Sequence, residues 1–121
     1  MKYMLMFVQK DGEAWEKMTP ADQNMPAIGR WFGEHAQAGR LVGGNQLQGR
    51  RTATTVRWKG DQPVVTDGPF IETKEMLGGL VVIEAPDLNS AAQIAAGIPF
   101  AQLGSIEVRP VPDFTKARPK L

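Results

Sequence analysis

Two short runs in this chain carry apolar side chains on both of their alternating sets. In the first, Tyr3, Leu5 and Phe7 form one set, and Met4, Met6 and Val8 form the other. In the second, Leu80-Val81-Val82-Ile83 repeats the pattern. A strand built this way is buried on both faces. The rest of the chain must therefore supply two covers for one sheet.

The remaining elements are few. Asp11-Gly12 ends the first strand. Thr19-Pro20 with Asp22 reads as a helix start: a hydroxyl cap, a proline in the first turn and an acid three residues on. Met25, Ile28, Phe32 and Ala36 recur at helical spacing, and Gly39 supplies the stop. Pro26 inside that run leaves two alternatives, a kinked helix or a second start capped by Asn24. Leu41 to Gln48 reads as a strand interrupted by Gly43-Gly44. Thr52 to Trp58 and Pro63 to Thr66 form a hairpin around Gly60-Asp61. Asp87 caps a second helix carrying Leu88, Ala91, Ala92 and Ala95, ended by Gly97 and Pro99. Ile106 to Val111 is the last strand, so residues 1–111 form one domain and 112–121 a tail.

This order closes most simply as an α+β, ferredoxin-like antiparallel sheet with both helices on one face. Two helices cover only that face. Leaving the other bare would expose an apolar patch that monomers rarely carry. A homodimer packed through the sheet face is the expected cover.

Charge and composition narrow the function. The net charge of +1 gives no electrostatic case for nucleic acid. Arg50-Arg51 and the tail basics Lys116, Arg118 and Lys120 read as solvated surface. With no cysteine there are no disulfides, thiolate metal ligands or cysteine nucleophiles, as suits a reducing, cytoplasmic setting. A single histidine leaves too few ligands for zinc. No run approaches the ~20 apolar residues of a membrane span. Dinucleotide, phosphate-loop and G-x-S-x-G motifs are missing too, so neither a cofactor nor a metal is expected.

Few residues are left to carry chemistry. His35 lies in the last turn of the first helix, where the helix C-terminus would favour its charged form. Histidine is the usual acid/base near neutral pH, although a boundary histidine with a satisfied hydrogen bond is the plainer reading. Trp31, one turn earlier, either walls a pocket or belongs to the core. Gly29 and Gly33 make a smooth strip open to close approach. Asp67-Gly68-Pro69-Phe70 is by itself ordinary turn chemistry. Glu72, Lys74 and Glu75 then precede the second apolar strand, either as a solvated approach or as polar groups around a pocket mouth.

The stretch VTDGPFIETKEMLGGLVVIEAPDL at residues 65–88 closely resembles the DGPF motif of the YCII-related family. MKYMLMF at the start, AGRLVGGNQLQ, ATTVR and IEVRPV are similar to that family as well. Asp67, Glu72, Lys74 and Glu75 match its motif one for one, while Ile71 replaces the common alanine. The resemblance implies a ferredoxin-like fold and a dimeric α/β barrel. It implies little about activity, since fold analogy is a weak warrant. Wider relatives are proposed to use a histidine–aspartate pair.

Three functions compete. One is cofactor-free acid/base conversion of a small organic, anionic metabolite by an isomerase, lyase or lactone-type enzyme. His35 and Asp67 would be catalytic, Lys74 an anchor, and Trp31, Phe70, Glu72 and Glu75 ligand-binding. The second is a non-catalytic regulatory module with a protein partner, linked to sigma-factor-associated transcription. It predicts an exposed docking surface and no enclosed pocket. The third is a stable dimer with a vestigial site.

Overall fold

The computed structural model describes residues 1–69, 73–100 and 103–113. Its strands are β1 (Lys2–Gln9), β2 (Leu41–Gln46), β3 (Thr54–Lys59), β4 (Gln62–Asp67), β5 (Met76–Glu84) and β6 (Gly104–Pro110). Its helices are α1 (Gly12–Lys17), α2 (Met25–Gln37) and α3 (Leu88–Ala96). The main sheet has the order β2-β5-β1-β6, and all its pairings are antiparallel. This is the ferredoxin-like α+β arrangement, with the two doubly apolar strands side by side at the centre.

Alternation in β1 sorts the core. Tyr3, Leu5 and Phe7 are buried on the face that meets the helices, opposite Ile83, Val81 and Gly79 of β5. Ile106 and Val108 of β6 extend the same layer. Met4, Met6 and Val8 point to the other face, where they sit half-buried opposite Val82, Leu80 and Leu77.

The Pro26 alternatives resolve in favour of a second start. Asn24 is the N-cap of α2 in left-handed conformation, φ 58°, and Pro26 falls in the first turn, where a missing N–H costs nothing. The Asn24 side-chain amide donates to the Pro99 carbonyl at 3.0 Å, tying the start of α2 to the segment after α3. Thr19 makes only a turn, its hydroxyl accepting from the Asp22 N–H. Ile28 and Trp31 are the buried residues of α2, while Ala36 is exposed. Gly29 and Gly33 face open space, so nothing approaches the strip they form.

The helix α1 is absent from the sequence reading above, which ends the first strand in a turn at Asp11-Gly12. Asp11 instead caps α1, accepting from the Ala14 N–H at 3.0 Å. The hairpin β3–β4 forms as expected but makes a separate two-stranded sheet. Asp87 caps α3 as expected, accepting from the Ser90 N–H at 2.7 Å.

Two glycines test the packing in opposite directions. A Cβ on Gly104 would strike the Val8 carbonyl and the Phe100 ring, whereas one on Gly29 meets nothing. Gly104→Ala is expected to lose about 1–3 kcal/mol in urea unfolding. Gly29→Ala, in an exposed helix interior, is expected to gain about 0.5–1 kcal/mol.

Candidate functional site

The helix layer does not seal the sheet completely. A cavity of about 170 Å³ remains between them. Its walls are Phe7 from β1, Trp15 from α1, Met25, Ile28 and Phe32 from α2, and Phe100 after α3. Phe7 lies 6.1 Å from Phe32 and 5.7 Å from Phe100, and Phe100 lies 5.9 Å from Trp15, centroid to centroid. Gly44, Gly78 and Gly79 line the sheet side, where they expose backbone in place of side chains.

Gln9, Asn45 and Gln46 are the polar side chains among the described residues of the lining, and of these Gln9 alone is buried. It follows Tyr3, Leu5 and Phe7 on the inward set of β1 and is only 3% exposed. Its Oε1 is buried without a hydrogen-bond partner among the described residues. An unpaired buried amide costs about 1–3 kcal/mol. Local geometry explains how it fits. Phe7 pairs with Gly79 but Val8 pairs with Leu77, so Gly78 is the extra residue of a bulge in β5. The Gln9 amide lies where a Cβ of Gly78 would be. The Gly78 carbonyl is held by the Leu47 N–H at 2.8 Å, which anchors the bulge to the end of β2.

No titratable side chain is among the described residues lining this cavity. His35 lies elsewhere, packed on Trp31 with ring centroids 4.5 Å apart. Arg40 stands 3.1 Å from its Nδ1, and a guanidinium only donates, so Nδ1 is the acceptor and the ring is neutral. Burial, then the Arg40 charge, hold its pKa below the ordinary histidine value, with Glu34 opposing. The expectation that the helix C-terminus favours the charged form is thereby corrected: desolvation and a neighbouring cation outweigh the helix end.

Asp67 is exposed at the end of β4, opposite Thr54. No described hydrogen bond joins it to His35, and neither lines the cavity. Gly68 adopts φ 99°, the turn conformation its motif suggests. Trp31 is buried in the core, its indole N–H donating to the Ile94 carbonyl at 3.3 Å. Lys74 and Glu75 are exposed on the approach to β5, and the Lys74 carbonyl accepts from the Gly12 N–H at 2.7 Å. Phe70 and Glu72 lie outside the described residues. The sequence reading missed Gln9, although period-two alternation from Tyr3 carries it inward.

Because the Gln9 Oε1 is buried without a partner among the described residues, replacing the side chain with an apolar one of similar shape removes a cost. Gln9→Met is expected to raise stability by about 1 kcal/mol or more in urea unfolding. A loss of stability would mean that the amide is satisfied in solution.

A solved structure with the same architecture is a complex of 5-chloro-2-hydroxyhydroquinone dehydrochlorinase from Burkholderia phenoliruptrix AC1100 with 2,5-dihydroxybenzoquinone. It matches with a TM-score of 0.53 at 13% identity, covering 93% of this chain and 94% of that one. An uncharacterized protein of Rhizobium meliloti (strain 1021) is 36% identical over 80 residues, which is 64% of this chain. The match likewise spans 64% of that relative's own length. The model of the YCII-related domain matches residues 1–115, which takes in the whole sheet and every wall of the cavity; the chain belongs to the YCII-related family.

Proposed function

We propose that this protein binds a small hydroxylated aromatic molecule in the cavity beneath α2, with Gln9 accepting a hydrogen bond from its hydroxyl. The observation that carries this reading is the pairing of an aromatic-walled space with one unpartnered buried amide. The size suits a single ring, since an apolar cavity of ~150 Å³ accepts benzene. Glycine backbone on one side and aromatic faces on the others favour a planar guest. Support comes also from the Burkholderia enzyme, whose structure is a complex with a dihydroxylated quinone. The regulatory alternative has no such observation in its support.

Conversion of the ligand is the further step. For proton exchange, His35 rests on the ordinary acid/base chemistry of histidine and Asp67 on its match to the family motif, while the cavity itself favours recognition by Gln9. Thermal unfolding with phenol, hydroquinone and benzene tests the reading, because a ligand of the folded state raises the melting point by mass action. Phenol and hydroquinone are expected to stabilise more than benzene, and Gln9→Met is expected to erase that difference. No stabilisation by any of the three rings would refute it.

The dimer belongs to the same proposal. Met4, Met6, Val8, Leu80 and Val82 form an apolar stripe on the face away from the helices. Arg109 and Glu107, ion-paired at 2.6 Å, lie beside it opposite Met4 and Met6, as a polar rim. The hairpin β3–β4 carries a second apolar surface, with Val56, Trp58, Pro63 and Val65 on one side and Trp58 69% exposed. A lone two-stranded hairpin is marginal in water. A second copy of the chain packed on the sheet stripe is the cover that this proposal assigns. Sedimentation equilibrium is expected to give a dimer, and Met6→Lys a monomer; a monomeric wild type across concentrations would contradict the pairing.

A further inference from the structure

We infer that the Gln9 amide turns over to suit its guest, so that the cavity takes ring carbonyls as well as ring hydroxyls. This rests on the cavity being the ligand site, as proposed above. It widens the ligand class from phenols to hydroxyl/carbonyl pairs such as hydroquinones and quinones.

A primary amide has an acceptor at one end and a donor of nearly the same shape at the other. A half-turn about its last torsion, which is broad and roughly two-fold, exchanges them. Buried amides are ordinarily held in one sense by their hydrogen bonds. Gln9 is not. Its Oε1 is buried without a partner, and its Nε2 forms no hydrogen bond with the described residues. The Gly78 carbonyl is occupied by the Leu47 N–H at 2.8 Å.

Room for the turn comes from the bulge. Oε1, Nε2 and the carbon that joins them all lie in the space that a Cβ of Gly78 would fill. Either end of the amide therefore lies against bare backbone rather than a side chain at that position. The other buried walls, Phe7, Trp15, Ile28 and Phe100, are aromatic or aliphatic and select a flat, apolar body. A guest oxygen that entered without a partner would be buried unpaired, at a cost. The guest thus sets the sense of the amide: a hydroxyl donates to Oε1, and a carbonyl accepts from Nε2.

Isothermal titration of wild type and Gln9→Met with phenol, 4-pyranone and benzene is the first test. The pyranone is a planar ring that has a carbonyl and no hydroxyl. Phenol and 4-pyranone are each expected to bind roughly five- to tenfold more weakly to Gln9→Met, the loss of about one hydrogen bond, with benzene unchanged. The second test is the side-chain amide protons of Gln9 in ¹⁵N-labelled wild type. They are expected to move downfield with 4-pyranone, as donated protons do, and to lack that shift with phenol. A loss for phenol alone would mean that the amide only accepts, and the inference would fall while the cavity reading stood. A loss for the pyranone alone, or equal downfield shifts with both guests, would mean that it only donates, which also overturns the turn. Failure of all three rings to bind wild type would remove the cavity reading, and this inference with it.

Discussion

At the centre of the sheet β1 and β5 lie side by side, and Tyr3, Leu5 and Phe7 meet Ile83, Val81 and Gly79 on the face toward the helices. Leu5, Val81 and Ile83 are the largest fully buried side chains of the described core. Burying such side chains contributes about 1.5–3 kcal/mol each, which makes this pairing the anchor for everything packed on it. One residue beyond the well-packed stretch the register slips at Gly78. The slip brings a glutamine inward under a glycine, and the helices above leave a space there. Stability and site are thus consecutive parts of one strand pair.

Much of the fold was legible because alternation and capping are local signals. The double apolar pattern of Tyr3–Val8 and Leu80–Ile83 placed both strands at the centre. Asp87 announced α3, and Asn24 was already one of two readings forced by Pro26. The helix α1 was illegible for a physical reason. It has six residues, too few to show a period, and it opens with Asp-Gly, a common turn pair. Its single buried aromatic, Trp15, is what closes one side of the cavity.

The site was less legible than the fold. Sequence reasoning looks for titratable residues, and those stand outside the aromatic cavity: His35 sits at the end of α2 beside Arg40, Asp67 on an exposed hairpin. Gln9 carries no charge and continues a strand, so it resembles the strand's polar end. Alternation turns it inward, and the bulge, a non-local feature of β1–β5 register, makes the room under Gly78 that its amide fills. Gly43-Gly44 showed in the sequence as an interruption of β2, and Gly44 lines the space together with Gly78 and Gly79.

The central claim is that the amide of Gln9 is the polar handle of a ligand site. The most direct measurement is the side-chain amide resonance of Gln9 in ¹⁵N-labelled protein, assigned with Gln9→Met, during titration with phenol and then with benzene. The account predicts that phenol shifts this resonance strongly and benzene weakly, along with backbone signals of Gly78 and Gly79. A phenol response confined to His35 or to the hairpin, with Gln9 unmoved, would contradict it.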